Sequence, residues 1–297
     1  MDKELYADSR RDPFTPREGN IPAGDSELYY REVGEGRPII VLHGATAAFD
    51  HKYLLPKMDQ LSSSFRLVYY DQRGRGKSAG HVESQMIGIE SEVEDLDCVR
   101  RYFQFDSLAL LGHSWGGLLA MEYAIHHPDR VSHIILMNTA PASHDDWLLT
   151  EENFADTKEI EDSPKYKEHD PDAVAERERV FFRPALRRPE DLESLLENML
   201  SGLTRERILQ ADKIGDRLWA ETYLSSGYDL LPKLRQLSIP ALIIHGDYDF
   251  VPLACVTRIA EAIPGARLVV LKETGHFAYI ESMDEVRNEM VNFFRTP

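Results

Sequence analysis

The chain has few cysteines, no long apolar run and no excess of basic residues, and each shortage excludes a class of protein. Two cysteines in 297 residues, Cys98 and Cys255, cannot build a disulfide framework. No apolar stretch reaches the roughly 20 residues that a membrane-spanning helix needs. The first 20 residues carry charge but no apolar segment of the secretory type. We therefore predict a cytoplasmic protein with free thiols.

Basic residues are outnumbered by acidic ones. Lys and Arg total 34 and Asp and Glu total 51, which gives a net charge of −17. A surface of this sign repels phosphate backbones and anionic lipids, so we expect neither nucleic acid nor a membrane as partner. No cluster of His, Cys and carboxylates has metal-ligand spacing, so the sequence predicts neither a metal nor another cofactor. Nothing in the sequence indicates the oligomeric state.

The chain also lacks a Gly/Ser linker, a proline tract and internal repeats, which favours a single domain. Short apolar β-branched runs alternate with amphipathic stretches, a pattern typical of a mostly parallel, doubly wound sheet of the α/β class. A differently alternating run at 26–36 predicts an antiparallel strand at the sheet edge. The predicted core strands are 37–44, 65–74, 107–114, 131–140, 239–249 and 266–275, and the predicted helices are 91–103, 115–127, 256–263 and 284–294.

One interval, 144–228, breaks the alternation. It has no strand-like run, reads as several short helices, and carries 21 acidic against 12 basic residues, or −9 of the total −17. We interpret it as a helical lid inserted between two core strands. The predicted core is therefore formed by residues 1–143, with a loose arm over 1–20, and by residues 229–297.

The strongest motif is the pentapeptide Gly112-His113-Ser114-Trp115-Gly116. This G-x-S-x-G pattern directly follows a predicted strand and directly precedes a predicted helix, which is the context of a nucleophile elbow. There a serine hydroxyl stands clear of the sheet edge, and the helix N-terminus behind it favours developing negative charge. We predict that Ser114 is a catalytic nucleophile.

A serine nucleophile needs a base within hydrogen-bond reach and an acid that orients the base. His276 follows the last predicted strand, and Asp249 follows the strand before it. Both fall at the sheet edge predicted for Ser114, in the chain order Ser, acid, His. We predict His276 as general base and Asp249 as the acid. Asp247, two residues earlier, stays open as an alternative acid.

The reaction also needs two backbone N–H donors for the oxyanion. The first is predicted to be that of Trp115, which follows the nucleophile. The second is predicted in the turn after the first core strand, at Ala45.

Five motifs in order resemble the α/β-hydrolase superfamily over nearly the whole chain. Within that superfamily, DQRGRGKS and GHSWGG resemble the proline iminopeptidase branch, although HGATA at 43–47 stands where that branch usually has HGGPG. The motifs are HG at 43–44, DQRGRGKS at 71–78, GHSWGG at 112–117, HGDYDFVP at 245–252 and GHF at 275–277.

The resemblance implies substrate-binding residues in the lid. Iminopeptidases of this type hold the free amino terminus of the substrate with lid glutamates, and Glu221 resembles one such position. Glu193 and Glu197 are possible second partners. The negative charge of the predicted lid favours a neutral or cationic small molecule or short peptide as substrate.

Three functions remain open from the sequence. The first is an aminopeptidase acting on N-terminal proline or another small residue. The second is a carboxylesterase or a related acyl hydrolase, including lactone and carbon–carbon bond hydrolases. The third, of another class, is a ligand receptor or signalling protein that keeps the triad but turns over slowly.

Overall fold

The computed structural model describes residues 12–44, 49–80 and 87–295. Within these ranges, no helix combines the length and the apolar character required to cross a membrane. The two ends of the predicted lid interval lie side by side, because Ser143 and Asp229 pair in an isolated antiparallel bridge.

A single eight-stranded sheet runs through the described part of the chain. Its strands are β1 (Arg17–Ala23), β2 (Ser26–Val33), β3 (Pro38–Leu42), β4 (Arg66–Tyr70), β5 (Leu108–His113), β6 (Val131–Met137), β7 (Ala241–Gly246) and β8 (Arg267–Leu271). Their order across the sheet is β1-β2-β4-β3-β5-β6-β7-β8. The pairs β1–β2 and β2–β4 are antiparallel, and all other neighbours are parallel. The predicted α/β class with a mostly parallel sheet is confirmed.

The start of the sheet corrects two predictions, the loose arm and the position of the edge strand. Residues 17–20 do not belong to a loose arm, because they form the first half of β1 and pair with β2. As a result, β1 and not β2 is the edge strand. β1 was missed because an edge strand with a solvated face carries few apolar residues, and its burial pattern alternates only from Ile21 onward.

Twelve α-helices are present in the described ranges. They are α1 (Ile89–Tyr102), α2 (Trp115–His126), α3 (His144–Glu151), α4 (Lys158–Glu161), α5 (Pro164–Lys167), α6 (Pro171–Phe182), α7 (Leu192–Met199), α8 (Arg205–Glu221), α9 (Leu231–Leu234), α10 (Leu253–Ala262), α11 (Ala278–Glu281) and α12 (Met283–Arg295). Helices α3 to α8 all lie between β6 and β7, so the predicted helical insertion between core strands is confirmed.

Polar side chains mark where several inserted helices begin. The side chains of Ser143, Asp170 and Thr204 each accept a hydrogen bond from a backbone N–H in the first turn of α3, α6 and α8. Short oxygen-bearing side chains stabilise a helix start because they satisfy N–H groups that have no partner within the helix. These local signals specify several short helices in place of one long one.

Both faces of the sheet are covered, as the near-continuous apolar strands require. In β3, Ile40 and Leu42 belong to one apolar cluster, which also takes residues of α1, α2 and α10. The alternating residues Ile39 and Val41 belong to a second cluster with residues of α7 and α12. Because β3, β5, β7 and β8 run in the same direction in the sheet, their carboxyl ends lie at one edge.

Candidate active site

Ser114 lies between β5 and α2, where the chain turns from strand into helix. Its φ of 53° and ψ of −121° are unusual for a residue with a side chain. A Cβ on Gly112 would overlap the backbone of Gly116, and a Cβ on Gly116 would overlap the carbonyl of Leu42. Strand and helix therefore approach too closely for side chains at these two positions, which explains the glycines on both sides of the serine.

His276 follows β8 and Asp249 follows β7. The ring Nδ1 of His276 lies 2.9 Å from Oδ1 of Asp249, and both side chains are buried. Because a carboxylate only accepts hydrogen bonds, Nδ1 carries the proton and Nε2 is the basic nitrogen. This is the tautomer that a general base needs. Ser114 and His276 line the same cavity.

The alternative acid, Asp247, is engaged with other partners. Its Oδ1 accepts the backbone N–H of Thr274 over 3.3 Å, and its Oδ2 lies 3.5 Å from Nζ of Lys272. The geometry therefore brings Asp249, and not Asp247, against His276.

The charge of Asp249 is maintained in a fully buried position. Burial by itself disfavours the carboxylate, but the neighbouring His276, which donates its Nδ1 proton, and a hydrogen bond from the backbone N–H of Val251 outweigh it. Together they hold the pKa of Asp249 well below its usual range. Asp249 is thus ionised at neutral pH and able to stabilise an imidazolium on His276.

The structure describes one of the two predicted oxyanion donors. Trp115 is the first residue of α2, where backbone N–H groups have no partner within the helix. Ala45 lies outside the described residues. The preceding N–H, that of Gly44, donates to the hydroxyl of Tyr53 over 2.7 Å and is therefore occupied.

The Tyr53 hydroxyl connects this turn to the nucleophile elbow. It accepts from Gly44 and lies 2.7 Å from Nδ1 of His113, to which it donates. Nε2 of His113 in turn donates to the carbonyl of His276 over 2.9 Å. Burial lowers the pKa of His113 to about 3, so its ring is neutral and has one donor and one acceptor. Sequence reasoning missed Tyr53, because a lone tyrosine in an apolar stretch carries no motif.

Tyr53→Phe is expected to lower both stability and kcat. It leaves the Gly44 N–H and His113 Nδ1 without partners, and each unpaired buried group costs about 1–3 kcal/mol. Urea unfolding measures the loss, with Tyr279→Phe as the matched control, since within the described ranges the hydroxyl of Tyr279 makes one hydrogen bond, to the carbonyl of Tyr53. Equal losses in the two variants would contradict a connecting role for Tyr53.

The three glutamates predicted to bind substrate are not among the residues that line the cavity. Oε2 of Glu221 accepts the backbone N–H of Ile89 over 2.9 Å, and Oε1 pairs with Arg217 over 3.2 Å. Glu193 pairs with Arg179 at the surface, and Glu197 is exposed. The structure gives these glutamates other partners or leaves them at the surface, because the direction of a side chain on an inserted helix depends on how that helix packs. Glu221 joins the end of α8 to the start of α1.

The cavity measures about 730 Å³ and reaches from Ser114 and His276 into the inserted helices. Many of the side chains in its walls are aromatic. Phe250 is stacked on the ring of His276 with centroids 4.2 Å apart, and Trp147 is stacked on Tyr223 at 4.3 Å. Such a space favours a compact apolar group next to Ser114.

A charged section of the wall lies on α4 and α6. Glu161 and Glu178 both pair with Arg177, at 3.0 and 3.2 Å, so two carboxylates share one cation. Burial raises the pKa of Glu178, although Arg177 opposes the shift. The guanidinium lies over the ring of Phe181 at 4.4 Å, and Phe181 contacts Phe250. With both carboxylates ionised, this trio carries one net negative charge.

Asp50, His51 and Asp71 form a buried group outside the cavity, with ligand atoms within 4.8 Å of one another. Sequence spacing did not reveal it. Nδ1 of His51 and the backbone N–H of Lys77 both donate to the Asp71 carboxylate, at 2.6 and 2.8 Å. Because these hydrogen bonds come from the surrounding loops, we assign the group to the packing of the DQRGRGKS segment.

Comparison with known families identifies the fold. A model described as alpha/beta hydrolase fold matches residues 37–282. The chain belongs to this family. It is a hydrolase, and its relatives include proline iminopeptidases and esterases.

Individual relatives of the hydrolase are distant but cover its length. The proline iminopeptidase of Lacticaseibacillus rhamnosus (strain Lc 705) is 24% identical, over 91% of this chain and 94% of the relative. That of Saccharolobus solfataricus is 26% identical, over 86% and 84%. Among solved structures, the enol-lactonase from Burkholderia xenovorans LB400 superposes with a TM-score of 0.68 at 25% identity, over 93% and 100%.

Proposed function

We propose that the chain is a serine hydrolase that cleaves a small ester or amide through an acyl-enzyme formed on Ser114. The supporting observation is the strained elbow at Ser114 beside the His276–Asp249 pair on one aromatic cavity. Labelling with a fluorophosphonate, followed by turnover assays, tests it. Label on Ser114 with no turnover of any ester or anilide would favour the receptor alternative.

In the proposed mechanism, the Ser114 hydroxyl attacks the substrate carbonyl carbon while Nε2 of His276 takes the hydroxyl proton. The negative oxygen that forms is stabilised by the backbone N–H of Trp115 and by a second donor, proposed at Ala45. As the tetrahedral intermediate collapses, the bond to the leaving group breaks. His276 gives its proton to the departing alcohol or amine, and the acyl group remains esterified to Ser114.

Water completes the cycle. His276 takes a proton from water as the oxygen attacks the acyl-enzyme, and the Ser114 oxygen leaves and recovers that proton. The product is a free carboxylic acid. Asp249 keeps its charge throughout and stabilises the imidazolium in both half-reactions.

The first candidate substrate is a peptide or amide with a free N-terminal proline. The aromatic walls suit a pyrrolidine ring, and the Glu161–Arg177–Glu178 trio supplies one net negative charge for an ammonium. The curated relatives named proline iminopeptidase add support. We now propose Glu178, in place of Glu221, as the carboxylate that meets the amine.

Glu178→Gln is expected to lower kcat/KM for prolyl-p-nitroanilide by about 30- to 1000-fold, because a buried ammonium loses its charged partner. It should change the hydrolysis of p-nitrophenyl acetate by less than about threefold. Glu221→Gln is the matched control, and it should not discriminate between the two substrates. Parallel changes in both substrates with Glu178→Gln, or cleavage of N-acetylprolyl-p-nitroanilide as fast as the free amine, would exclude an amine site.

Carboxylester hydrolysis is the second candidate, favoured by a different observation. The rings that pack against His276 are those of His113, Phe250 and Phe277, and none of the three is charged at neutral pH. A neutral acyl group fits them without any ion pair. HGATA, which departs from the iminopeptidase pattern, also agrees with this candidate.

We propose that residues 144–228 act as a lid whose packing defines the substrate pocket, and that residues 1–143 and 229–297 form the catalytic core. We also propose a cytoplasmic location, based on the two free cysteines.

A further inference from the structure

Asn138 lies where β6 ends, fully buried and with a φ of 45°. Its backbone is tied to the neighbouring strands. The N–H donates to the carbonyl of Ile244 in β7 over 2.8 Å, and the carbonyl accepts the N–H of Ser114 over 3.2 Å. A left-handed φ disfavours most side chains but is tolerated by asparagine and glycine. The backbone alone therefore restricts the residue types that fit here.

The side-chain amide of Asn138 reaches the loops of both other triad candidates. Nδ2 donates to Oδ2 of Asp249 over 2.8 Å and to the carbonyl of Gly275 over 3.0 Å. Oδ1 accepts the backbone N–H of Ala278 over 3.3 Å. These partners define the orientation of the amide, because the carboxylate and the carbonyl only accept and the N–H only donates.

The two oxygens of Asp249 are held differently. Oδ1 accepts from His276 Nδ1 and from the N–H of Val251, at 2.9 and 3.0 Å. Oδ2 accepts from Asn138, and its other close neighbour is Nδ1 of His245 at 3.4 Å. Nε2 of His245 donates to the carbonyl of Val251, and burial lowers the pKa of His245. Because the His245 ring is neutral and Nε2 carries its proton, Nδ1 is unprotonated. Nδ1 faces Oδ2 but cannot donate a hydrogen bond to it.

We propose that Asn138 is a positioning residue that fixes the Asp249 carboxylate in the plane where it orients His276. The inference rests on the proposed triad function. The last side-chain torsion of an aspartate is broad. Without the Asn138 donor, Oδ2 is held by no hydrogen bond from the described residues, and the carboxylate can rotate Oδ1 away from Nδ1 of His276.

Asn138→Gly removes the amide and keeps a residue that tolerates the backbone conformation. We expect kcat to fall by about 10- to 100-fold while KM changes by less than about twofold, since the lost interaction acts on the chemical step. Gln104→Gly is the matched control, because Gln104 also has a positive φ and is exposed. It should leave kcat unchanged.

The deciding measurement is a double-mutant cycle with Asp249→Asn. If Asn138 acts through Asp249, then Asn138→Gly should reduce kcat by less than about twofold in the Asp249→Asn background. An equal loss in both backgrounds would mean general structural damage and would overturn the proposal. A wild-type kcat in the Asn138→Gly variant would also overturn the proposal.

Asn138→Asp is a second variant, nearly isosteric with the wild type. It keeps the proposal testable if Asn138→Gly fails to fold. Two carboxyl groups at this distance share a proton, so the carboxylic acid introduced by Asn138→Asp can donate to Asp249. In the described part of the chain, the other titratable groups in contact with the Asp249 carboxylate are His245 and His276. The ratio of variant to wild-type kcat should rise at least about fivefold from pH 9 to pH 6, and a flat ratio would contradict the proposal. A wild type inactive on all substrates would instead refute the proposed function.

Discussion

Ser114→Ala is expected to fold like the wild type and to lose at least about 10⁴-fold in kcat for any good ester or anilide substrate. The acyl-enzyme cannot form without the hydroxyl, and His276 has no other nucleophile to activate at the elbow. Alanine removes one oxygen atom from a half-buried position, so the packing of β5 against α2 should be preserved.

Steady-state kinetics and fluorophosphonate labelling check this expectation together. Ser132→Ala is a suitable control, because among the described residues the Ser132 hydroxyl binds only the backbone carbonyl of Leu108, on the neighbouring strand. It should keep both labelling and turnover. A folded Ser114→Ala variant with more than about a tenth of wild-type activity would remove Ser114 from the mechanism.

The second large effect is expected for Asp249→Asn, with a loss in kcat on the order of 10⁴. An asparagine amide at this position turns a donor towards Nδ1 of His276 or leaves the ring in the wrong tautomer. It also removes the negative charge that stabilises the imidazolium. The folded structure should persist, because the substitution preserves shape.

Asp247→Asn is the matched control, two residues away and chemically identical. Because the carboxylate of Asp247 binds the 272–274 turn, its variant should retain activity within about fivefold. The measurement that ranks the two variants is their activity at one pH, compared with that of the wild type. The opposite ranking would assign the acid to Asp247.

Much of the fold could be predicted because its signals are local. Apolar runs marked each parallel strand, and the observed strands, such as β5 at Leu108–His113, lie inside the predicted ranges. The polar side chains at the starts of α3, α6 and α8 are local features of the same kind. β1 could not be predicted, since its strand character depends on pairing with β2 and its sequence REGNIPA is mostly polar.

The candidate site also has one part that local sequence predicts and one part that it does not. The elbow at Ser114 follows from spacing, because only glycines fit where strand and helix backbones meet. The cavity carboxylates do not follow from spacing. Glu221 and Glu178 both lie on helices of the insertion, and nothing local to either residue shows that Glu221 faces α1 while Glu178 faces the cavity.

By itself, the sequence determined the α/β class, the strand–turn–helix context of Ser114 and the chain order of the triad candidates. Periodicity and short spacings encode these features within a few residues. Only the tertiary structure decided which acidic side chains line the cavity and that Asn138 binds Asp249, 111 positions away. Such contacts depend on how separate strand ends and helices pack together, and no local pattern in the chain records that packing.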